Sequence, residues 1–132
     1  MKNIVLDNEF ITIWVYPEKK IIHHKFKKFT FGNAFKEIML KAADAFKQNG
    51  CTKWLSDDLE NSALAPEDRD WAYQFWGPKV IESGWKHWAI IFPKKVVGQM
   101  NMKKIVELYT SRGINVKVFS DLDSSMKWLE KQ

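Results

Sequence analysis

One cysteine, four prolines and six glycines among 132 residues leave little material for cross-links or irregular backbone. Cys51 has no partner for an internal bridge, and no second cysteine or histidine stands near it at a zinc-like spacing. Burial of apolar surface must hold the fold, and a chain of this length can bury roughly two thirds of its unfolded surface. No apolar window approaches the roughly 20 residues of a membrane span. Met1 is followed by no charged segment, apolar run and small-residue cleavage site, so a reducing cytoplasm is the expected home. Repeats, low-complexity tracts and interdomain linkers are missing. So are a nucleophile elbow, a phosphate-cradling glycine loop and a dinucleotide fingerprint.

What the chain does have is tryptophan and an uneven distribution of charge. Five of its seven tryptophans, Trp54, Trp71, Trp76, Trp85 and Trp88, bracket its one acidic block. Residues 57 to 70 set six carboxylates against Arg69, a net of −5, while each flank carries +5. A basic excess of this size suits nucleic acid, anionic lipid or simply a solvated surface. Tryptophan needs a fitted pocket and a partner for its indole N–H, so either a core or a recognition surface is concentrated here.

Periodicity gives the plan. Ile4 to Leu6, Phe10 to Tyr16 and Ile21 to Phe26 are short β-rich runs separated by polar turns, which predicts an antiparallel meander. From Thr30 the period changes to 3.6, with Phe31, Phe35, Ile38, Met39, Ala42 and Phe46 on one stripe and Gly50 as the stop. Strands are then expected at 51–56, 88–92 and 116–119, and helices at 66–83, 98–112 and 122–130. This alternation implies parallel pairing. Trp88 to Phe92 has the continuous apolar run of a central strand, and Val116 with Val118 reads as an edge. Gly77 and Pro78 predict a kink or restart within the helix that begins at Pro66.

Lys53-Trp54-Leu55-Ser56-Asp57 ends in an acidic turn, and Val118-Phe119-Ser120-Asp121 leads into Met126-Lys127-Trp128-Leu129. With the meander followed by βα units, these segments resemble the SpoIIAA-like proteins of the STAS superfamily over most of the chain. The resemblance implies one α/β domain over residues 1–132, a mixed sheet carrying about four helices. It also implies kinship with anti-sigma-factor antagonists, STAS modules of transporters and lipid-carrier-like relatives. In that family a switch serine lies near the start of the helix after a central strand. Here the nearby hydroxyls are Ser56, followed by Asp57 and Asp58 that would repel a phosphate, and Ser62, set in a long insertion.

Parallel strands bring their carboxyl ends to one edge, where ligands of open α/β sheets bind. That edge should gather Asp57, Asp58, Lys94, Lys95, Ser120 and Asp121, walled by Trp54, Trp71 or Trp76. With Phe75, which shares a helix face with Trp71, these give the candidate ligand- or partner-binding set Asp57, Asp58, Trp71, Phe75, Trp76, Lys94, Lys95 and Asp121. The competing reading makes the carboxylates turn caps and the lysines solvated. His23 and His24 are neighbours on a strand and project to opposite faces, so they do not close on one metal ion. Lys25-Phe26-Lys27-Lys28-Phe29 interleaves base and aromatic as single-strand platforms do, but its alternation is that of a half-buried outer strand. Val96, Val97, Met100, Met102, Ile105, Val106 and Tyr109 form a further apolar group. A hollow between the Pro66 helix, the Gly98 helix and the sheet would be apolar and aromatic.

Together these features describe a non-enzymatic module without cofactor or metal. It would bind a protein partner, itself included, or a small apolar or amphipathic ligand. The alternative is a small enzyme using Asp57 and Asp58 with Lys94 or Lys95.

Overall fold

A computed structural model describes residues 2–60, 64–94 and 96–132. Ser62, Lys95 and the Val97 side chain lie outside the described residues. The sheet has six strands in chain order. β1 (Asn3–Asp7), β2 (Ile11–Tyr16) and β3 (Ile21–Phe26) run antiparallel, and β4 (Lys53–Asp57), β5 (His87–Ile91) and β6 (Asn115–Phe119) continue parallel to β3. The meander, the parallel half and the β6 edge follow the expected plan. β3, expected as an outer strand, lies instead between β2 and β4. Its interior place explains why both histidines are buried, His23 at 4% and His24 at 5% exposure.

α1 (Gly32–Gln48) buries Phe35, Ile38, Met39, Ala42, Ala43, Ala45 and Phe46. That spacing puts one wide apolar stripe onto β2 and β3. Phe31 does not share it. It occupies the extended position before the helix, 63% exposed, with its ring stacked 5.5 Å from that of Phe29. α1 ends as expected at Gly50, whose φ of +61° admits glycine at little cost.

The next helix runs from Pro66 to Glu82 without a break. α2 (Pro66–Trp71) passes into a π-helical segment, Ala72–Trp76, and then into α3 (Gly77–Glu82). At the expected kink or restart, α-helix resumes at Gly77, whose N–H bonds to the Ala72 carbonyl five residues back. Pro78 has no N–H for the carbonyl four residues earlier, and its ring would crowd that carbonyl. The widened turn absorbs the mismatch ahead of the proline.

α4 (Val96–Thr110) contacts β6 on this side of the sheet, and α5 (Leu122–Glu130) covers β4, β5 and β6 on the other. Asp121 caps α5, accepting the Ser124 N–H at 2.7 Å and its hydroxyl at 3.0 Å. The larger core, between the sheet and α1, the Pro66–Glu82 helix and α4, holds Trp54, Trp76, Trp85 and Trp88. A smaller one under α5 holds Ile21, Leu55, Ala89, Ile91 and Leu129. Among the described residues, no helix is long and apolar enough to cross a membrane.

Candidate functional site: an aromatic cavity with a buried carboxylate

Strand alternation decides which side chains reach the larger core. Ile22, His24 and Phe26 of β3, Trp54 and Ser56 of β4, and Trp88 and Ile90 of β5 share the face under α1 and α4. The aromatic rings meet mostly edge to face, the arrangement their quadrupoles favour. Trp54 lies 5.1 Å from Trp76, Trp76 5.7 Å from Trp85, and Trp85 5.1 Å from Trp88. Trp88 in turn lies 5.1 Å from Tyr109 of α4.

Each of these indoles has an acceptor for its N–H. Trp76 donates to the Met39 carbonyl at 2.7 Å, pinning the π segment to α1. Trp85 donates to the His87 carbonyl at 3.1 Å, Trp88 to the Ser56 hydroxyl at 2.8 Å, and Trp54 to Nδ1 of His24 at 2.9 Å. The cluster is fixed by hydrogen bonds as well as by packing.

A cavity remains between this layer, α1, the π segment and α4, with about 60 Å³ of free space, room for about two waters at roughly 30 Å³ each. Phe35 and Met39 wall it from α1, Ala72, Tyr73 and Trp76 from the π segment, and Met102, Ile105 and Tyr109 from α4. The half-exposed Leu64, Arg69, Tyr73 and Leu108 mark its solvent side. Gly77 is needed behind it. A Cβ there would stand 3.0 Å from the Tyr109 ring and hydroxyl and 3.2 Å from the Ala72 carbonyl. Burial pushes the Tyr109 hydroxyl pKa upward, so the wall stays neutral.

The polar end consists of His24, Ser56 and Asp58. Asp58, immediately after β4, is 4% exposed, and its Oδ1 lies 3.5 Å from Nε2 of His24. Indole N–H is a donor only, so Nδ1 of His24 must offer its lone pair to Trp54, and the ring proton sits on Nε2, toward Asp58. The chain therefore runs in one direction, from Trp54 through His24 to the carboxylate. Among the described residues, the Asp58 carboxylate has no other hydrogen bond and no lysine or arginine within ion-pair distance; the Asp58 backbone N–H donates to the Ile91 carbonyl at 3.1 Å.

A solved structure from Shewanella loihica PV-4, an uncharacterised protein of the DUF3478 family described as having a SpoIIAA-like fold, is similar to this chain. The TM-score is 0.62 and the identity 17%, over 94% of this chain and 97% of that one. The chain has a SpoIIAA-like fold. A scan against protein-family models gave no match, and neither did a search of curated proteins. At this identity the likeness is one of fold.

Within the SpoIIAA-like fold the candidate residues separate. Asp58 and Trp76 line the cavity. Asp57 alternates to the opposite face, where it accepts the Leu59 N–H at 3.3 Å. Trp71 is half-buried against Phe35 and under the Lys36 ammonium, and Phe75 is 64% exposed. Lys94 pairs with Glu60 at 2.8 Å on the surface, which lowers the Glu60 carboxyl pKa. Asp121 is the α5 cap. Ser56, one of the two hydroxyls weighed from the sequence, is 1% exposed beneath Trp88.

The acidic block is thus shared among separate tasks. Asp68, 2% exposed, accepts the Gly32 N–H at 3.0 Å and ties the start of α1 to α2. Sequence reasoning missed His24, Arg69 and the return of Trp85 and Trp88 to one wall. His24 carried one usable signal: it shares strand parity with Phe26 and differs from His23.

Proposed function

We propose that this protein binds a small apolar or amphipathic molecule in the aromatic cavity, with the polar end of the ligand at Asp58 and His24. One observation carries the reading: a walled aromatic space in which a buried carboxylate has a single long hydrogen bond. Ligand sites are typically apolar and aromatic hollows with a few converging polar groups. A purely structural core would more readily fill such space with aliphatic side chains than keep a charge in it. The π segment supports the reading, because such widened turns frequently occur at functional sites.

The size of the cavity favours a compact ligand, or the compact end of a longer one that continues past Leu64 and Leu108. Intrinsic fluorescence tests this, since four indoles surround the space. Compact amphiphiles should change the emission saturably, and Ala72→Phe, which fills the cavity from the π segment, should abolish the response while the fold persists. A response unchanged in Ala72→Phe, or no saturable response in the native protein, would contradict the proposal. Among the described residues the geometry does not favour the two-aspartate enzyme, because Asp57 and Asp58 face opposite sides of the sheet and Lys94 is paired with Glu60; Lys95, its other candidate lysine, lies outside them.

A further inference from the structure

The Asp58 carboxylate lies in an apolar, aromatic setting, and its one side-chain partner among the described residues is a neutral imidazole. Buried charges are ordinarily paired with an opposite charge or held by several hydrogen bonds. His24 does not supply the missing charge, because the Trp54 N–H occupies the nitrogen that would have to take up a second proton. Arg69 is the other charged residue of the lining. Its Nε lies 3.7 Å from Asp70, and its side chain, 21% exposed against 6% for Asp58, sits toward solvent. Among the described residues, the lining therefore holds a buried carboxylate with no cation within ion-pair distance.

We infer that the cavity recognises a small organic cation, an alkyl- or methylated-ammonium group whose charge pairs with Asp58 and whose alkyl surface packs against the tryptophans. This rests on the cavity being a ligand site, as proposed above. An ammonium group satisfies both halves of the site. It compensates the carboxylate where screening is weak, and its charge is attracted to aromatic faces, most strongly to those of tryptophan. A neutral ligand would leave Asp58 uncompensated, and an anion would be repelled by it. At about 60 Å³, against the roughly 150 Å³ that takes a benzene ring, the cavity suits the compact charged end of such a ligand, with the remaining alkyl surface reaching toward Leu64 and Leu108.

Three probes sharing one tert-butyl group test the inference at pH 7, with binding followed by the indole N–H resonances. They are tert-butylammonium, isosteric tert-butanol, and pivalate. tert-Butylammonium is expected to bind about tenfold more tightly than tert-butanol, and pivalate most weakly. In Asp58→Asn, which keeps the shape and removes the charge, the two isosteres should bind alike. The ranking in the native protein needs no variant, so a misfolded Asp58→Asn does not spoil the test.

Equal binding of the isosteres, tightest binding of pivalate through Arg69, or an ammonium preference that survives Asp58→Asn would each overturn the cation inference and leave the cavity reading standing. Binding of no probe would remove both.

Discussion

The Trp54 indole N–H donates to Nδ1 of His24 across 2.9 Å, and both residues are buried. β3 and β4 are parallel neighbours with Ile22 opposite Trp54 and His24 opposite Ser56, so the bond crosses the sheet diagonally. It fixes the imidazole tautomer, and through it the proton that Asp58 receives.

Replacing Trp54 with Phe should therefore do two things. The fold should lose about 2–4 kcal/mol, from a void beside Trp76 and a buried acceptor left without its donor. Long-range ¹H–¹⁵N NMR of the native protein should report an unprotonated Nδ1 in His24, and the variant should lose this restriction. A native His24 protonated on Nδ1 would contradict the geometry.

Gly77→Ala reverses the usual helix rule. Alanine ordinarily gains about 1 kcal/mol over glycine in a helix, but here its methyl meets the Tyr109 ring at 3.0 Å and the Ala72 carbonyl at 3.2 Å. Overpacking of this kind costs about 1–3 kcal/mol, so urea unfolding should find the variant no more stable than the native protein. A gain in stability would mean that Tyr109 moves freely and that the cavity wall is soft.

His23 predicts the acid limb of stability. Its Nε2 is buried without a partner, and burial, reinforced by the Lys2 and Lys25 ammonium groups, lowers its pKa from 6.5 to about 3. The unfolded chain takes up this proton first, below pH 6.5. The stabilisation is therefore complete above that pH and is lost as the pH falls through about 3, a change of several kcal/mol. His23→Phe preserves a ring beside Trp14, which lies 4.4 Å from the imidazole, and should flatten stability between pH 6.5 and 3. An unchanged slope in denaturant titrations across that range would assign the acid sensitivity elsewhere.

Much of the architecture was legible because it follows from local pattern. Alternation in β2 and β3, the 3.6-residue stripe of α1, and the acidic residue before Leu122 each act through neighbours in the chain. Even the character of a hollow between the Pro66 helix, the following helix and the sheet could be anticipated from the residue types facing it. The misplacements have a common cause. Phe31 continues the helical spacing, yet its backbone is extended, because the helix begins one residue later at Gly32. Asp57 and Asp58 look like a pair in sequence, and the end of β4 sends them to opposite sides.

His24 could not be paired with Asp58 from sequence, because 34 residues and a parallel strand register separate them. The π segment was equally hidden. Pro78 announces that the hydrogen-bond ladder must change, but tertiary packing of Trp76 on Met39 determines that it widens ahead of the proline rather than breaking at it. Tryptophan content marked the region without assigning the roles: Trp54, Trp76, Trp85 and Trp88 wall the cavity, whereas Trp71 packs outside it.

The seven indole N–H resonances in a ¹H–¹⁵N correlation spectrum test the ligand-binding cavity most directly, because they sample both faces of the sheet. On titration with the tert-butyl probes, Trp54, Trp76, Trp85 and Trp88 should shift together and saturably, while Trp14 and Trp128, on the opposite face, stay in place. Shifts at Trp14 or Trp128 with the four cavity indoles unmoved, or no shift with any probe, would contradict it.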